Sequence, residues 1–197
     1  PDPVLQQAEN FADATVSAND CFRPICRYFD RISRPEQLIQ SLPKSMSILT
    51  DPADCGPVTL SLCQDVQAEA YDYPSSLFIP KVWKIRRQVC DQNELETVIK
   101  KIKSSKKPLL IAGGGVKYSG AENELKQLVE LTGVPFAVTQ AGKSCLDETN
   151  SQFVGSIGVT GSTSANQLAM ESDLVISVGS RLQDFTTGSN TLITSSM

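Results

Sequence analysis

The spacing of apolar positions changes along this chain, and the changes divide it. Between residues 91 and 133 the spacing is helical. Leu95, Val98, Ile99 and Ile102 recur at i, i+3, i+4 and i+7, behind an Asp91 with Glu94 three positions on, the pattern of a capping box. A second helix is predicted from a cap at Ser119 through Leu131, with Leu125, Leu128 and Val129 on its apolar side and Gly133 as its stop. Three stretches are instead apolar almost throughout: "KPLLIA" at 107–112, "PFAVTQ" at 135–140 and "DLVISVG" at 173–179. With a short helix around 165–170 and a glycine-rich crossover before it, they predict the order β-α-β-α-β from 108 to 179. Strands apolar on both faces belong in a parallel sheet covered on both sides. The expected class is therefore α/β, half of a doubly wound Rossmann-like parallel sheet, with Leu110, Ile111, Ala137, Leu174 and Ile176 in its core.

Upstream the pattern is poorer. Leu38, Ile39, Leu42 and Met46 have helical spacing, but Pro43 should kink that helix or end it early. "GPVTLSL", ending at Leu62, reads as a buried strand. One helix and one strand cannot bury themselves, so this region reads as the tail of a domain. The segment "YDYPSSLFIPKVWKIRRQ" (71–88) mixes proline, serine, aromatic and basic residues without a period, as a connector does. The expected organisation is 1–75 as the end of one domain, 76–90 as a linker and 91–197 as the beginning of a second. A chain running from Pro1 to "TLITSSM" is expected to be a piece of something longer.

Composition removes whole classes of chemistry. The 197 residues include no histidine, which excludes a Ser-His-Asp triad, a Cys-His dyad and a His-ligated metal. A net charge of −4, with no basic run beyond "KKIKSSKK", gives no electrostatic footprint for nucleic acid or an anionic membrane. Six cysteines (21, 26, 55, 63, 90 and 145) form no C-x-x-C pair or zinc spacing and read mostly as buried, reduced thiols of a cytoplasmic protein. No metal-ligating set is expected.

Two local motifs suggest phosphate. Gly142-Lys143-Ser144 resembles the end of a P-loop, but the glycine required five positions before Gly142 is Ala137, inside the second strand, and no amphipathic helix follows. A turn with a solvated lysine fits the pattern better. Gly113, Gly114 and Gly115 directly after the first strand suggest a diphosphate at a helix N-terminus. The dinucleotide fingerprint then needs glycine where Tyr118 stands and an acid where the second strand ends in Thr139 and Gln140. A tight strand-to-helix turn is the competing account. Arg181 and Asp184 follow the third strand, where open α/β sheets take ligands; an Arg–Asp pair fixing the turn is the structural alternative.

Taken in order, "DCGPVTLSLCQDVQAEAYDYP", "KPLLIAGGGV", "TGVPFAVTQAGKS" and "GSIGVTGSTSANQLAMESDLVISVGSRLQDFTTGS" resemble thiamine-diphosphate-dependent enzymes of the acetolactate synthase type. The first piece resembles the end of their pyrimidine-binding domain and the rest their middle domain. "PDPVLQQ", "NDCFRPICRYFDRISRPEQL", "AEAYDYP" and "RLQDFTTGS" narrow the resemblance to a hydrolytic branch of inositol catabolism. The resemblance implies a thiamine diphosphate ylide that attacks a small cyclic diketone, whose ring is then opened by C–C hydrolysis. It also implies magnesium on the diphosphate, further domains of the same enzyme as partners, and a homo-oligomer. The activating glutamate and the Gly-Asp-Gly…Asn segment of such enzymes have no counterpart here, so the fragment itself is expected to hold no cofactor and no catalytic residue. Gln140, Gly142 and Lys143 would lie toward the substrate cleft, and Arg23 matches a basic position that reaches it in some relatives, a surface ion pair being the alternative. Gly113, Gly114, Gly115, Arg181 and Asp184 match a region that holds FAD or ADP in some. Ser144 and Cys63 depart from the family pattern, which has glycine and proline there. The alternative function is a nucleotide-binding or oligomerising domain of another such enzyme.

Overall fold

The computed structural model describes residues 12–13 and 17–193, which fall into two compact units divided between Gln88 and Val89. "PDPVLQQ" and the last four residues of "TLITSSM" lie outside the described residues.

In the second unit, β3 (Pro108–Ala112), β4 (Phe136–Val138), β5 (Phe153–Ser156) and β6 (Leu174–Val178) form one all-parallel sheet in the order β5-β4-β3-β6. Alternate residues of β3 enter opposite cores. Leu110 and Ala112 meet Val116, Leu125, Val129 and Phe136 on one face, while Leu109 and Ile111 meet Ala137, Ala165 and Ala169 on the other. Helix α4 (Glu122–Thr132) covers the first face and α5 (Thr163–Glu171) the second. Ser162 caps α5 by accepting the Ala165 N–H, and Gly133 ends α4 at φ 66°, a left-handed conformation that costs glycine little.

Four expectations need correction. The crossover after β4 contains a strand, β5, whose pairing is broken by a bulge and whose Gly155 sits at φ 112°, so it shows no apolar run. Ser119 caps nothing; it ends the short helix α3 (Gly115–Ser119), its hydroxyl donating to the Gly115 and Val116 carbonyls, before the chain turns at Gly120 into α4. Leu110, Ile111 and Ala137 are buried, but Leu174 and Ile176 are only half-buried, because β6 is an outer strand with a neighbour on one side. Finally, α2 (Gln92–Ser104) forms as its period requires, with Asp91 accepting the Asn93 and Glu94 N–H groups, yet it buries no residue. Its stripe stays in solvent, with Leu95, Val98 and Ile99 exposed by 37%, 48% and 40%.

The end of α2 is nonetheless fixed. The Asp173 carboxylate, just before β6, accepts the Ser105 hydroxyl, the Lys106 N–H at 2.8 Å and the Lys107 N–H at 2.9 Å. These bonds, led by the Ser105 hydroxyl, hold the Asp173 carboxyl below the ordinary carboxylate range.

The first unit contains a strand that the pattern concealed. β1 (Tyr28–Ile32) pairs in parallel with β2 (Val58–Leu62), and α1 (Leu38–Leu49) packs on both. Charge disguises β1. Asp30 lies in its middle, satisfied by the Tyr28 hydroxyl at 3.1 Å and by the Ser41 hydroxyl of α1. The buried positions of α1 are Ser41 and Ser45, small enough for close approach to the strands, and the helix continues past Pro43 to Leu49. A small core of Ile32, Cys63 and Val66 completes the unit. Cys63 donates its N–H to the Ile32 carbonyl at 3.3 Å, a bond that proline could not make.

Candidate functional site

The strand order makes a switch point. From β3 the chain steps to β4 and β5, then returns to the other side of β3 with β6, so the crevice between the carboxyl ends of β3 and β6 is where such sheets take ligands. Here the crevice is closed by backbone. The Gly113 N–H donates to the Val178 carbonyl and the Gly115 N–H to the Gly179 carbonyl, both at 2.8 Å. A Cβ on Gly115 would lie 2.7 Å from the Gly179 Cα, and one on Gly179, which has φ 62°, 2.6 Å from the Val116 nitrogen. Two donors that a diphosphate would need are thus already bonded, and α3 is five residues long.

The loop after β4 is joined to the same structure. Thr139 donates its N–H to the Ala112 carbonyl at 2.9 Å and accepts the Gly142 N–H on its own hydroxyl at 3.1 Å. Gly142 is buried against Ala112 and Gly113, where a side chain has no room, and Ala141 packs against Gly114. Gln140 and Lys143 project from this fixed loop into solvent. Ser144 has φ 64°, so the residue where the family pattern has glycine adopts a glycine-like conformation. Next to it Cys145 is buried, and burial pushes its thiol up; against expectation, only Cys145 and Cys63 of the six cysteines are buried, while Cys21, Cys55 and Cys90 are exposed and Cys26 is half-buried.

Arg181 and Asp184 are exposed on the loop after β6, and no ion pair joins them. The expected turn-fixing pair is therefore absent. Asp184 instead opens the short helix α6 (Asp184–Thr187), where a carboxylate suits the helix dipole. Arg23 belongs to the first unit. It pairs with Asp20 and lies over the Phe29 ring at 4.2 Å. The Asp20 carboxyl is held below the usual range, first by the Ser17 N–H at 2.8 Å and then by Arg23.

The carboxyl edge also has an element that the sequence pattern did not reveal. Asn166 clamps Gly158 with two 3.0 Å bonds, and Val159 donates to the Phe185 carbonyl at 2.9 Å, leaving Val159 and Phe185 exposed together. The glycines of "GSIGVTGS" were the available signal. Eight of the nine candidates lie in the second unit, on the loops and first helical residues at the carboxyl edge. Those loops offer exposed cations and an amide, without a proton-transfer pair.

Residues 95–196 match the family described as thiamine pyrophosphate enzyme, central domain. The chain belongs to this family. It is 49% identical over 192 residues to 3D-(3,5/4)-trihydroxycyclohexane-1,2-dione hydrolase of Bacillus cereus (strain AH820), covering 98% of this chain and 30% of the relative. The protein of the same name in Geobacillus thermodenitrificans (strain NG80-2) is 47% identical over 195 residues, covering 99% and 30%, and that of Bacillus thuringiensis (strain Al Hakam) 48% over 191, covering 97% and 30%. The chain thus spans about 30% of the length of the curated relatives it matches.

The Gly113 and Gly115 donors are engaged, and among the described residues no group of three or more Cys, Asp or Glu could hold a metal ion. Among them, too, no helix is long and apolar enough to cross a membrane.

Proposed function

We propose that this chain is part of a thiamine-diphosphate-dependent hydrolase that opens the ring of a trihydroxycyclohexane-dione by C–C hydrolysis in inositol catabolism. It would supply the end of a pyrimidine-binding domain (1–75), a linker (76–90) and the N-terminal part of the middle domain (91–197). The observation that carries this reading is the identity of nearly half over 98% of the chain to proteins of that name. The complete enzyme works as a cytoplasmic homo-oligomer, with magnesium on the cofactor diphosphate and both held by segments outside this chain.

Within that enzyme Gln140, Gly142 and Lys143 face the substrate cleft, and Arg23 is a separate candidate for contact with the substrate. Exposure of Gln140 and Lys143 on a loop whose backbone is fixed by Gly142 supports this role. Gly113, Gly114 and Gly115 hold the turn that positions that loop, and Arg181 and Asp184 stand at the same edge. Lys143→Ala in the full-length enzyme should lower turnover on the order of tenfold, about 1.4 kcal/mol of transition-state stabilisation, with an unchanged melting temperature. Arg23→Ala should act in the same direction. Unchanged steady-state kinetics on the cyclic diketone for Lys143→Ala would return that residue to the solvated surface, and no ring opening by the wild-type enzyme would remove the reading itself.

A further inference from the structure

Arg23 is held more closely than an exposed cation needs to be. It lies on the 3-10 helix Ala18–Ile25, which is tied to β2 near both ends: Asn19 donates to the buried Ser61 hydroxyl at 3.0 Å, and the Cys26 thiol meets the Thr59 hydroxyl at 2.8 Å. On this helix Asp20 is fixed twice. Its N–H donates to the Ser17 carbonyl at 2.9 Å, and one of its carboxylate oxygens accepts the Ser17 N–H at 2.8 Å. The other oxygen accepts the Nε–H of Arg23. The face of the same guanidinium lies on the ring of Phe29, a β1 residue that stands opposite Thr59 in the strand register. One edge and one face of the guanidinium are thus occupied. Among the described residues nothing bonds its two terminal nitrogens, and the side chain stays 55% exposed.

An exposed acid–base pair three residues apart adds little to folding. What the arrangement gives Arg23 is a set orientation. A guanidinium held by Nε on one edge and by an aromatic ring on one face has lost most of its rotational freedom before anything binds, and its two terminal nitrogens present parallel N–H donors at a fixed spacing. Such a pair of donors matches two adjacent oxygen acceptors, which a lysine ammonium, a single point of charge, does not. A cyclic diketone bearing ring hydroxyls offers adjacent oxygens of this kind. We infer that Asp20 and Phe29 are positioning residues that act through Arg23, holding its two terminal nitrogens as a fork for a pair of adjacent oxygens on the substrate ring. This inference rests on the reading of Arg23 as a substrate contact and is separable from it.

The test is a pair of double-mutant cycles in the full-length enzyme, read as kcat/KM on the cyclic diketone. Arg23→Ala should lower kcat/KM about tenfold, and Arg23→Lys, which keeps the charge and loses the fork, should lower it nearly as far. Asp20→Asn and Phe29→Leu should each lower it about threefold or more while Arg23 is present. In the Arg23→Ala background the same two substitutions should have no further effect, because they act only through the arginine. A role confined to folding would lower kcat/KM by the same factor in both backgrounds. The two cycles are independent, so a failure of Asp20→Asn to fold leaves the Phe29 cycle to decide. Losses that multiply in the double variants, or none from Asp20→Asn and Phe29→Leu, overturn the positioning role and leave Arg23 as a substrate contact. Full activity in Arg23→Lys overturns the fork. Unchanged kinetics in Arg23→Ala overturns both readings.

Discussion

Helices α2 and α4 have nearly the same apolar spacing and opposite fates. In α4, Leu125 and Val129 are 4% and 0% exposed in the core of the sheet. In α2, no residue is buried and the stripe of Leu95, Val98 and Ile99 faces solvent. The period of a sequence states that a face wants burial, and it carries no information about what buries it. Helix α4 lies between two strands that pair with each other and has its cover. Helix α2 precedes the sheet and is held at its end by the polar contacts of Asp173.

Truncation separates the two most strongly. Leu125→Ala should destabilise the second unit by about 3 kcal/mol in urea unfolding, and Leu95→Ala by under about 0.5 kcal/mol. Equal losses would mean that α2 is packed in solution. Next in size is Gly179→Ala. It places a Cβ against the Val116 nitrogen at a positive φ, so it should cost about 2 kcal/mol or more and lower the urea midpoint. Such a loss would show that the carboxyl edge is as tightly fitted as the α4 face.

Ser144→Gly should act in the other direction. Relief of a left-handed serine is worth about 0.5–1 kcal/mol of added stability by the same measurement, and a loss would mean that the serine side chain has a partner that matters. The smallest effect sharpens the account of α2. The folded Asp173 carboxyl is held below its ordinary value of 3.8, so its contribution is complete above that value and is lost as pH falls through the lower folded one. Amide exchange at Lys106 and Lys107 should therefore lose protection on acidification through this range, and Asp173→Asn should make it insensitive to pH. Protection unchanged in the wild type would leave α2 anchored by something else.

The sheet strands β3, β4 and β6, the helices α2, α4 and α5 and the parallel arrangement were legible because continuous apolar runs and helical stripes record local burial directly. β1 and β5 were not. In β1 an aspartate occupies a strand position made acceptable by Tyr28 and Ser41, and Ser41 comes from a helix eleven residues on. In β5 a glycine and a bulge break the run. At the site the glycines of 113–115 stood out, but their use did not. Whether a glycine admits a ligand or a second strand end depends on what faces it, and Gly179 is more than sixty residues away. The pairing expected of Arg181 and Asp184 failed for a related reason: proximity in sequence does not bring exposed, flexible side chains together.

The glycine contacts at the carboxyl edge also bear on how tightly a ligand could be held there. Hydrogen bonds and close backbone contacts lock the ends of β3, β4 and β6 together, so a molecule meeting Gln140 and Lys143 would encounter a loop that has no ordering left to do. The conformational penalty of binding would then be confined to the two side chains, about 1.5–2 kcal/mol each, whereas a free loop would add about 1–2 kcal/mol for every backbone residue fixed. A rim built in this way favours contact with a pre-formed surface over induced closure.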